Sequence, residues 1–259
     1  MKTQTTKRIE VLDHGFVELV DQMGDDFRIL EAARMSTGSD ARKGDEKDRK
    51  LIRYLYTQGH SSPLEQVLFT FRMKLPIFVS RQMVRHRTAK LNEASARYKE
   101  FDWEVTFPEH WRMQDTKNKQ SSTNYPLSER GETDFREALN GAYDEAEYFY
   151  KYALENGIAR EMARYVMPVG HYTEMIWTID LHNLFHFLEV RDHPHAQQEI
   201  RVYAEAILKL IETHAKIPWA LEIFEQVRSI RYAVQSKMRG LEDFEDFEGF
   251  LSHIEAFEE

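Results

Sequence analysis

The chain contains no cysteine. That absence excludes disulfides, thiolate catalysis and any zinc site built on cysteine. A metal site would have to use histidine and carboxylate. No apolar run approaches membrane-spanning length, and the polar, basic stretch Met1 to Arg8 is followed by no apolar segment of the signal-peptide kind. A cytoplasmic protein without membrane contact is the expectation. Internal repeats and convincing linkers are also lacking. Neither Gly-x-Gly-x-x-Gly nor the phosphate-loop Gly-x-x-x-x-Gly-Lys pattern occurs, so a nucleotide or cofactor must be held another way.

Positive charge is scarce overall. The net charge is −9, and residues 240–259 carry Glu242, Asp243, Glu245, Asp246, Glu248, Glu255, Glu258 and Glu259 with no Lys or Arg. The remaining body is close to neutral, which leaves a globally basic nucleic-acid surface unsupported. A non-catalytic RNA-binding module would have to rely on one basic loop and its aromatics. Within the tail, Phe244, Phe247, Leu251, Ile254 and Phe257 recur at helical spacing, the pattern of a docked amphipathic helix with a solvated acidic face.

What is present reads as an ordinary globular chain of 259 residues, 42% hydrophobic. Residues 8–20 alternate around Asp13-His14-Gly15 and predict two short strands and a turn. Residues 25–35 and 45–58 predict amphipathic helices, and Thr57 to Pro63 a loop. Val67, Phe69, Phe71, Met73 and Leu75 alternate as in a strand. Pro76 suits the first position of a following helix, which is expected to end near His86 or Arg87 and to carry Gln82, Arg85 and His86 on one face. Residues 99–126 read as a long irregular segment. Helices are expected over 127–155, 158–166, 180–191 (N-capped by Asp180) and 195–214. Periodicity leaves 170–179 open between strand and helix entry. Helices and strands interleave without a βαβ rhythm, which predicts an α+β fold with an antiparallel sheet.

One segment carries the chemistry. Arg81, Arg85, Arg87, Lys90 and Arg97 stand within seventeen residues against a single acid, Glu93. Read alone, a charge run is most often a solvated helix end. Here it follows an apolar strand and helix that lead it inward. Guanidinium forks match phosphate bidentately, and Asn92, Glu93 and Ser95 add mixed donors and acceptors for the edge of a heterocycle.

The stretch Arg85-His86-Arg87-x-x-x-x-Asn92-Glu93-x-Ser95-x-Arg97-Tyr98 resembles the signature of the flavin-dependent thymidylate synthases. Supporting matches are Phe16 to Val20, Ala32-Ala33-Arg34, Gly59-His60, Phe69-Thr70-Phe71, Ala163 to Pro168, Tyr172-Thr173, Arg191 and His195-Ala196-Gln197. The resemblance covers roughly residues 8 to 215. It implies a homotetramer with active sites built from several subunits, converting dUMP to dTMP in de novo dTMP biosynthesis. The carbon donor is methylenetetrahydrofolate, reduced FAD supplies hydride, and NADPH reduces the flavin. The lack of cysteine suits such chemistry, since the unrelated classical thymidylate synthases attack uracil with a thiolate.

The resemblance also implies roles. Gln82, Met83, Val84, Arg85, Glu93, Ala94, Ser95, Ala96, Arg97, Arg164 and Arg191 would contact dUMP, with Arg97 on its phosphate. Arg191 would be the catalytic arginine that promotes loss of the pyrimidine N3 proton. Read alone, Arg191 is a helix C-terminal arginine serving the dipole. Ser95 lacks the adjacent base a nucleophile needs and is assigned hydrogen bonding instead. FAD contacts would be Ser62, Arg85, His86, Arg87, Glu93, Asp180, His182 and His186, with His60 and Glu65 as further candidates. Lys90, Asp180 and His182 depart from the residues many members carry. Residues 1–225 are taken as the catalytic domain and 226–259 as an extension ending in the acidic amphipathic helix. The competing reading is a metal enzyme using His182 and His186, four apart on one helix face, with Glu189, His193 and His195 nearby. That spacing is common in helices, and no metal is assigned.

Overall fold

The structure, a computed structural model, describes residues 7–40, 42–116, 119 and 122–238. Five strands form one antiparallel sheet: β1 (Arg8–Val11), β2 (Gly15–Met23), β3 (Leu68–Pro76), β7 (Tyr172–Asp180) and β4 (Lys90–Glu93), in that order across the sheet. The α+β expectation holds. Alternation along β3 and β7 puts Phe69, Phe71 and Met73 opposite Ile179, Trp177 and Met175 on one face, all essentially inaccessible to water. Burying each such side chain stabilises the fold by roughly 1.5–3 kcal/mol. The other face is polar: the Thr70 and Thr178 hydroxyls lie 2.9 Å apart, and Arg72 pairs with Glu174 at 2.8 Å.

The helices cover the apolar face. α6 (Leu181–Arg191) leaves β7 directly, and Asp180 caps it by accepting from Asn183 N at 3.0 Å. Its Leu181, Leu184, Phe185, Phe187 and Leu188 are buried. α7 (Gln198–His214) packs on β1, β2 and α6. The turn between β1 and β2 must end in glycine: a Cβ on Gly15 would meet the Tyr203 hydroxyl and the backbone oxygens of Val11 and Lys74 inside van der Waals contact. Tyr203 donates to that Lys74 oxygen at 2.8 Å, so α7 and the sheet approach closely here. α1 (Asp26–Met35), α2 (Asp45–Thr57) and α8 (Pro218–Met238) form a second group.

Several expectations need correction. The helix after β3, α3 (Ile77–Met83), stops before His86, because the next N–H groups bond three residues back: Arg85 N to Gln82 O and His86 N to Met83 O. Pro76 is not its first residue but its extended N-cap, finishing β3. The basic loop is partly a strand, since Lys90–Glu93 pairs along β7. Of residues 170–179, Tyr172 onward resolves as strand, because β3 and β4 flank β7 on both sides. The segment 99–126 is not wholly irregular. Val105 bridges to His171, and β5 (Arg112–Gln114) pairs with β6 (Ser122–Pro126). After α4 (Glu129–Glu155), the helix expected over 158–166 is one turn, α5 (Arg160–Ala163), and a 3₁₀ turn.

Helix α8 was not read from sequence, although Pro218 at its first position and the apolar Ile223, Phe224 and Val227 signal it. Its N-terminus is held from a distance. Asp26 accepts from Trp219 N and Ala220 N at 2.8 and 3.1 Å. α8 runs unbroken through residues 225 and 226. The acidic stretch 241–258 lies outside the described residues. Among the described residues no helix is long and apolar enough to cross a membrane.

Candidate active site

The C-terminal arginine of α6 turns back onto the end of α3. Arg191 Nε donates to His86 Nε2 at 3.1 Å, and Arg191 Nη1 reaches Gln82 Oε1 at 3.5 Å. The shortened α3 therefore still delivers Gln82 and His86 to one place. An imidazole that accepts at Nε2 carries its proton on Nδ1. Burial first, then the Arg191 charge and the neighbouring His186, push the His86 pKa from 6.5 down to about 4. The Phe187 edge packs at 4.9 Å from the ring. Arg191 itself is lowered by burial and by the nearby charge of Arg85. A cation resting on a neutral base, rather than on a carboxylate, keeps most of its charge available to a ligand.

A titration follows from this contact. The folded pKa of His86 lies below the unfolded value, so its contribution to stability is complete above about pH 6.5 and is lost as pH falls through about 4. In ¹³C-labelled-histidine NMR, the His86 signal should show a midpoint near 4, rising in part in Arg191→Ala. An unmoved midpoint in Arg191→Ala would show that Arg191 does not rest on this ring.

The remaining basic residues of the segment point outward. Among the described residues, no ion pair engages Arg81, Arg85, Arg87 or Lys90, and Arg85 and Arg87 are exposed. Cations gathered without internal counter-ions are suited to an external anion. Arg97 is different: its Nε lies 3.3 Å from Glu161 of α5, half-exposed on both sides. Arg164 follows on the next turn, exposed. Ser95 accepts from Arg97 N at 3.3 Å, and Ala94 N donates to Glu174 O. Two groups result, Gln82–His86–Arg191 and Ser95–Arg97–Glu161. Among the described residues no hydrogen bond or ion pair links them.

Two hollows flank the loop before β3. One, of about 150 Å³, is walled by Tyr56, His60, His182, His186, Glu189 and Arg231. The other, of about 760 Å³, is lined by Arg28, Arg34, Ser39 and Ser62 among others. Glu189 is already engaged, accepting from Tyr56 Oη at 3.1 Å and from Arg231. His193 accepts from His195 N and stacks on that ring and against Tyr232. Among the described residues no group of three or more His, Asp or Glu is placed to hold a metal ion.

The sequence pattern of the family described as Thymidylate synthase complementing protein matches residues 18–218. The flavin-dependent thymidylate synthase of Thermus thermophilus is 49% identical over 212 residues, which are 82% of this chain and 77% of the relative. That of Treponema denticola is 41% identical over 251 residues, covering 91% of this chain and 94% of the relative. This chain belongs to the flavin-dependent thymidylate synthase family. As a member it is an enzyme, a methyltransferase. The crystal structure of a UMP/dUMP methylase, PolB from Streptomyces cacaoi, bound with 5-Br dUMP, superposes with a TM-score of 0.74 at 34% identity, covering 84% of this chain and 97% of that one.

In this flavin-dependent thymidylate synthase family member, some expected site residues have other work. Met83 is fully buried in the core, and its carbonyl takes the N–H of His86. Ala96 is buried, and Val84 uses its N–H on Ser80 O. Both carboxylate oxygens of Asp180 accept from Asn183, and the residue is 9% exposed, so the structure gives it a capping role. Glu93 ends β4, half-buried beside Met175. His182 and His186 share the smaller hollow with His60, whereas Ser62 faces the larger. Glu65 is exposed and lines neither. The sequence reading missed Arg231, which α8 brings to the smaller hollow, and the side-chain role of Gln197, which accepts from Gln82 Nε2 at 2.7 Å. The first had its signal in the unread helical period of 218–230. The second had none, because the contact joins residues 115 apart.

Proposed function

We propose that the protein methylates dUMP to dTMP, with methylenetetrahydrofolate as carbon donor, FAD as the bound cofactor and NADPH as its reductant. The observation that carries this reading is Arg191 resting on neutral His86 and on Gln82, in a segment whose Arg85 and Arg87 meet no acid among the described residues. The relatives named for thymidylate synthesis and the dUMP-bound methylase support the substrate.

The residues present fit a flavin. Its diphosphate asks for cations, which Arg85 and Arg87 offer with no ion pair among the described residues, and its ring edge asks for donors and acceptors, which His60, Ser62, His182 and His186 offer around the two hollows. When bound, the flavin supplies the hydride that turns a transferred methylene into a methyl group. The chain's own part is binding and electrostatics. Arg191, preset by His86, stabilises negative charge on the pyrimidine as its N3 proton leaves, which makes C5 nucleophilic without a thiolate. Gln82 and Ser95 orient the base, and Arg97 and Arg164 hold the phosphate. The assembly that goes with this reading is a homotetramer in which neighbouring subunits complete each site.

The direct test incubates the purified protein with dUMP, methylenetetrahydrofolate, FAD and NADPH and follows dTMP by chromatography, with UMP as a parallel substrate because PolB is named for both nucleotides. A protein that retains flavin but makes no methylated product would overturn the reading. A second outcome concerns Arg97. Arg97→Ala should weaken dUMP binding by about 10- to 100-fold, the weight of a hydrogen bond to a charged group. Calorimetric titration with unchanged affinity would remove it from the phosphate site.

A further inference from the structure

We infer that Arg112, Glu199 and Gln197 are positioning residues for Arg191, acting by fixing which end of the Gln82 amide faces its guanidinium. This rests on the reading of Arg191 given above.

A line of hydrogen bonds runs from the β5 strand to the site. Arg112 Nη2 donates to Glu199 Oε1 at 2.6 Å, and its Nη1 donates to Gln198. Gln197 Nε2 donates to Glu199 Oε2 at 2.9 Å. Gln82 Nε2 donates to Gln197 Oε1 at 2.7 Å, and Gln82 Oε1 faces Arg191 Nη1 at 3.5 Å.

Each amide in this line has two orientations of nearly the same shape, differing by exchange of oxygen and NH₂. The ends of the line permit only one. Arginine can only donate, and an ionised carboxylate can only accept. Glu199 therefore obliges Gln197 to turn its NH₂ inward. The Gln197 oxygen then takes the Gln82 NH₂, which leaves the Gln82 oxygen for Arg191. Glu199 lies in the first turn of α7 paired with the Arg112 guanidinium, and its side chain is 14% exposed. The guanidinium that neutralises it comes from β5, in the segment 99–126.

The inference makes an unusual demand on mutants. In Glu199→Gln, Arg112 will take the new amide oxygen, and the new NH₂ will face Gln197. Gln197 and Gln82 must both turn, and an NH₂ group then opposes Arg191. Adding Gln197→Glu restores the original sense: Gln82 again donates to an acceptor, and the amide at 199 donates to the new carboxylate. A mere anchor between Arg112 and Glu199 would not be rescued, because Arg112 lacks its carboxylate in both variants.

The test compares unmodified protein, Glu199→Gln and the double exchange Gln197→Glu/Glu199→Gln, all flavin-loaded. The readouts are kcat for dTMP and the His86 titration midpoint without substrate. Glu199→Gln is expected to lower kcat by about 10- to 100-fold and to raise the His86 midpoint above about 4 as the Arg191 charge withdraws, burial still holding it below the ordinary histidine value. The double exchange should recover both. Equal impairment of the two variants, or an unmoved His86 midpoint in Glu199→Gln, would overturn the relay. If the midpoint moves and recovers while dTMP formation is the same in all three, the relay stands and the catalytic reading of Arg191 fails. If Glu199→Gln does not fold, the double exchange decides alone: a midpoint and kcat like the unmodified protein's support the relay, and a shifted pair overturns it.

Discussion

Arg191→Ala should retain flavin and lose dTMP formation by about 10²- to 10³-fold, the usual cost of removing one preorganised charge-stabilising donor. The size of the effect follows from how the guanidinium is held. Its Nε is committed to the neutral His86 imidazole and one Nη to the Gln82 carbonyl, so the remaining N–H groups are aimed before substrate arrives. Such a group needs little reorganisation when charge develops. Arg191→Lys should recover only part of the loss. An ammonium keeps the charge but cannot bond His86 and Gln82 through a rigid fork while facing a ligand. Flavin absorbance after gel filtration checks cofactor retention, and initial rates of dTMP formation check the chemistry. Turnover at the unmodified rate would take Arg191 out of the reaction.

Arg34→Ala should destabilise the fold by about 3–5 kcal/mol, the cost of leaving a buried charge without its partner. Arg34 of α1 pairs with Asp48 of α2 at 2.7 Å, and their side chains are 7% and 0% exposed. Burial raises the Asp48 pKa. The Arg34 and Lys43 N–H bonds and the Arg34 and Arg42 charges outweigh burial and hold it below the ordinary carboxylate value. Removing Arg34 takes away the largest of those compensations. Urea unfolding at fixed protein concentration should show a lower midpoint with an unchanged slope. Replacing both partners, as Arg34→Met/Asp48→Leu, should cost much less than Arg34→Ala, because no charge is left stranded. A double variant as unstable as the sum of the single changes would mean the pair acts through packing. Arg34 also lines the larger hollow beside Ser62, so the single variant should loosen that wall.

Much of this protein was legible in the order of its residues. Period-two alternation along 67–75 and the Leu181, Leu184, Phe185, Leu188 stripe depend only on local geometry, and both elements form as expected. Asp180 reads as a cap and is one, because a capping bond spans three residues. The Arg85 to Tyr98 signature identifies the family, since its spacing is a property of the chain itself. Residues 170–179 show the limit. Their own pattern is ambiguous, and pairing with β3 and β4, whose partners lie about a hundred residues away, makes them a strand from Tyr172 onward.

The same division runs through the site. Sequence by itself determined that cysteine chemistry is excluded, that cations gather between Arg81 and Arg97, and that Arg191 belongs with them by family pattern. Only the tertiary structure decided which of these residues meet. It set Arg191 on a neutral His86, buried Met83, committed Asp180 to Asn183, and joined Arg112 to Gln82 through Glu199 and Gln197. The physical reason is range. Periodicity, capping and turn preferences act over a few residues and are written locally, whereas burial, pKa and the sense of a hydrogen-bond relay depend on neighbours that only the folded chain brings within a few ångströms.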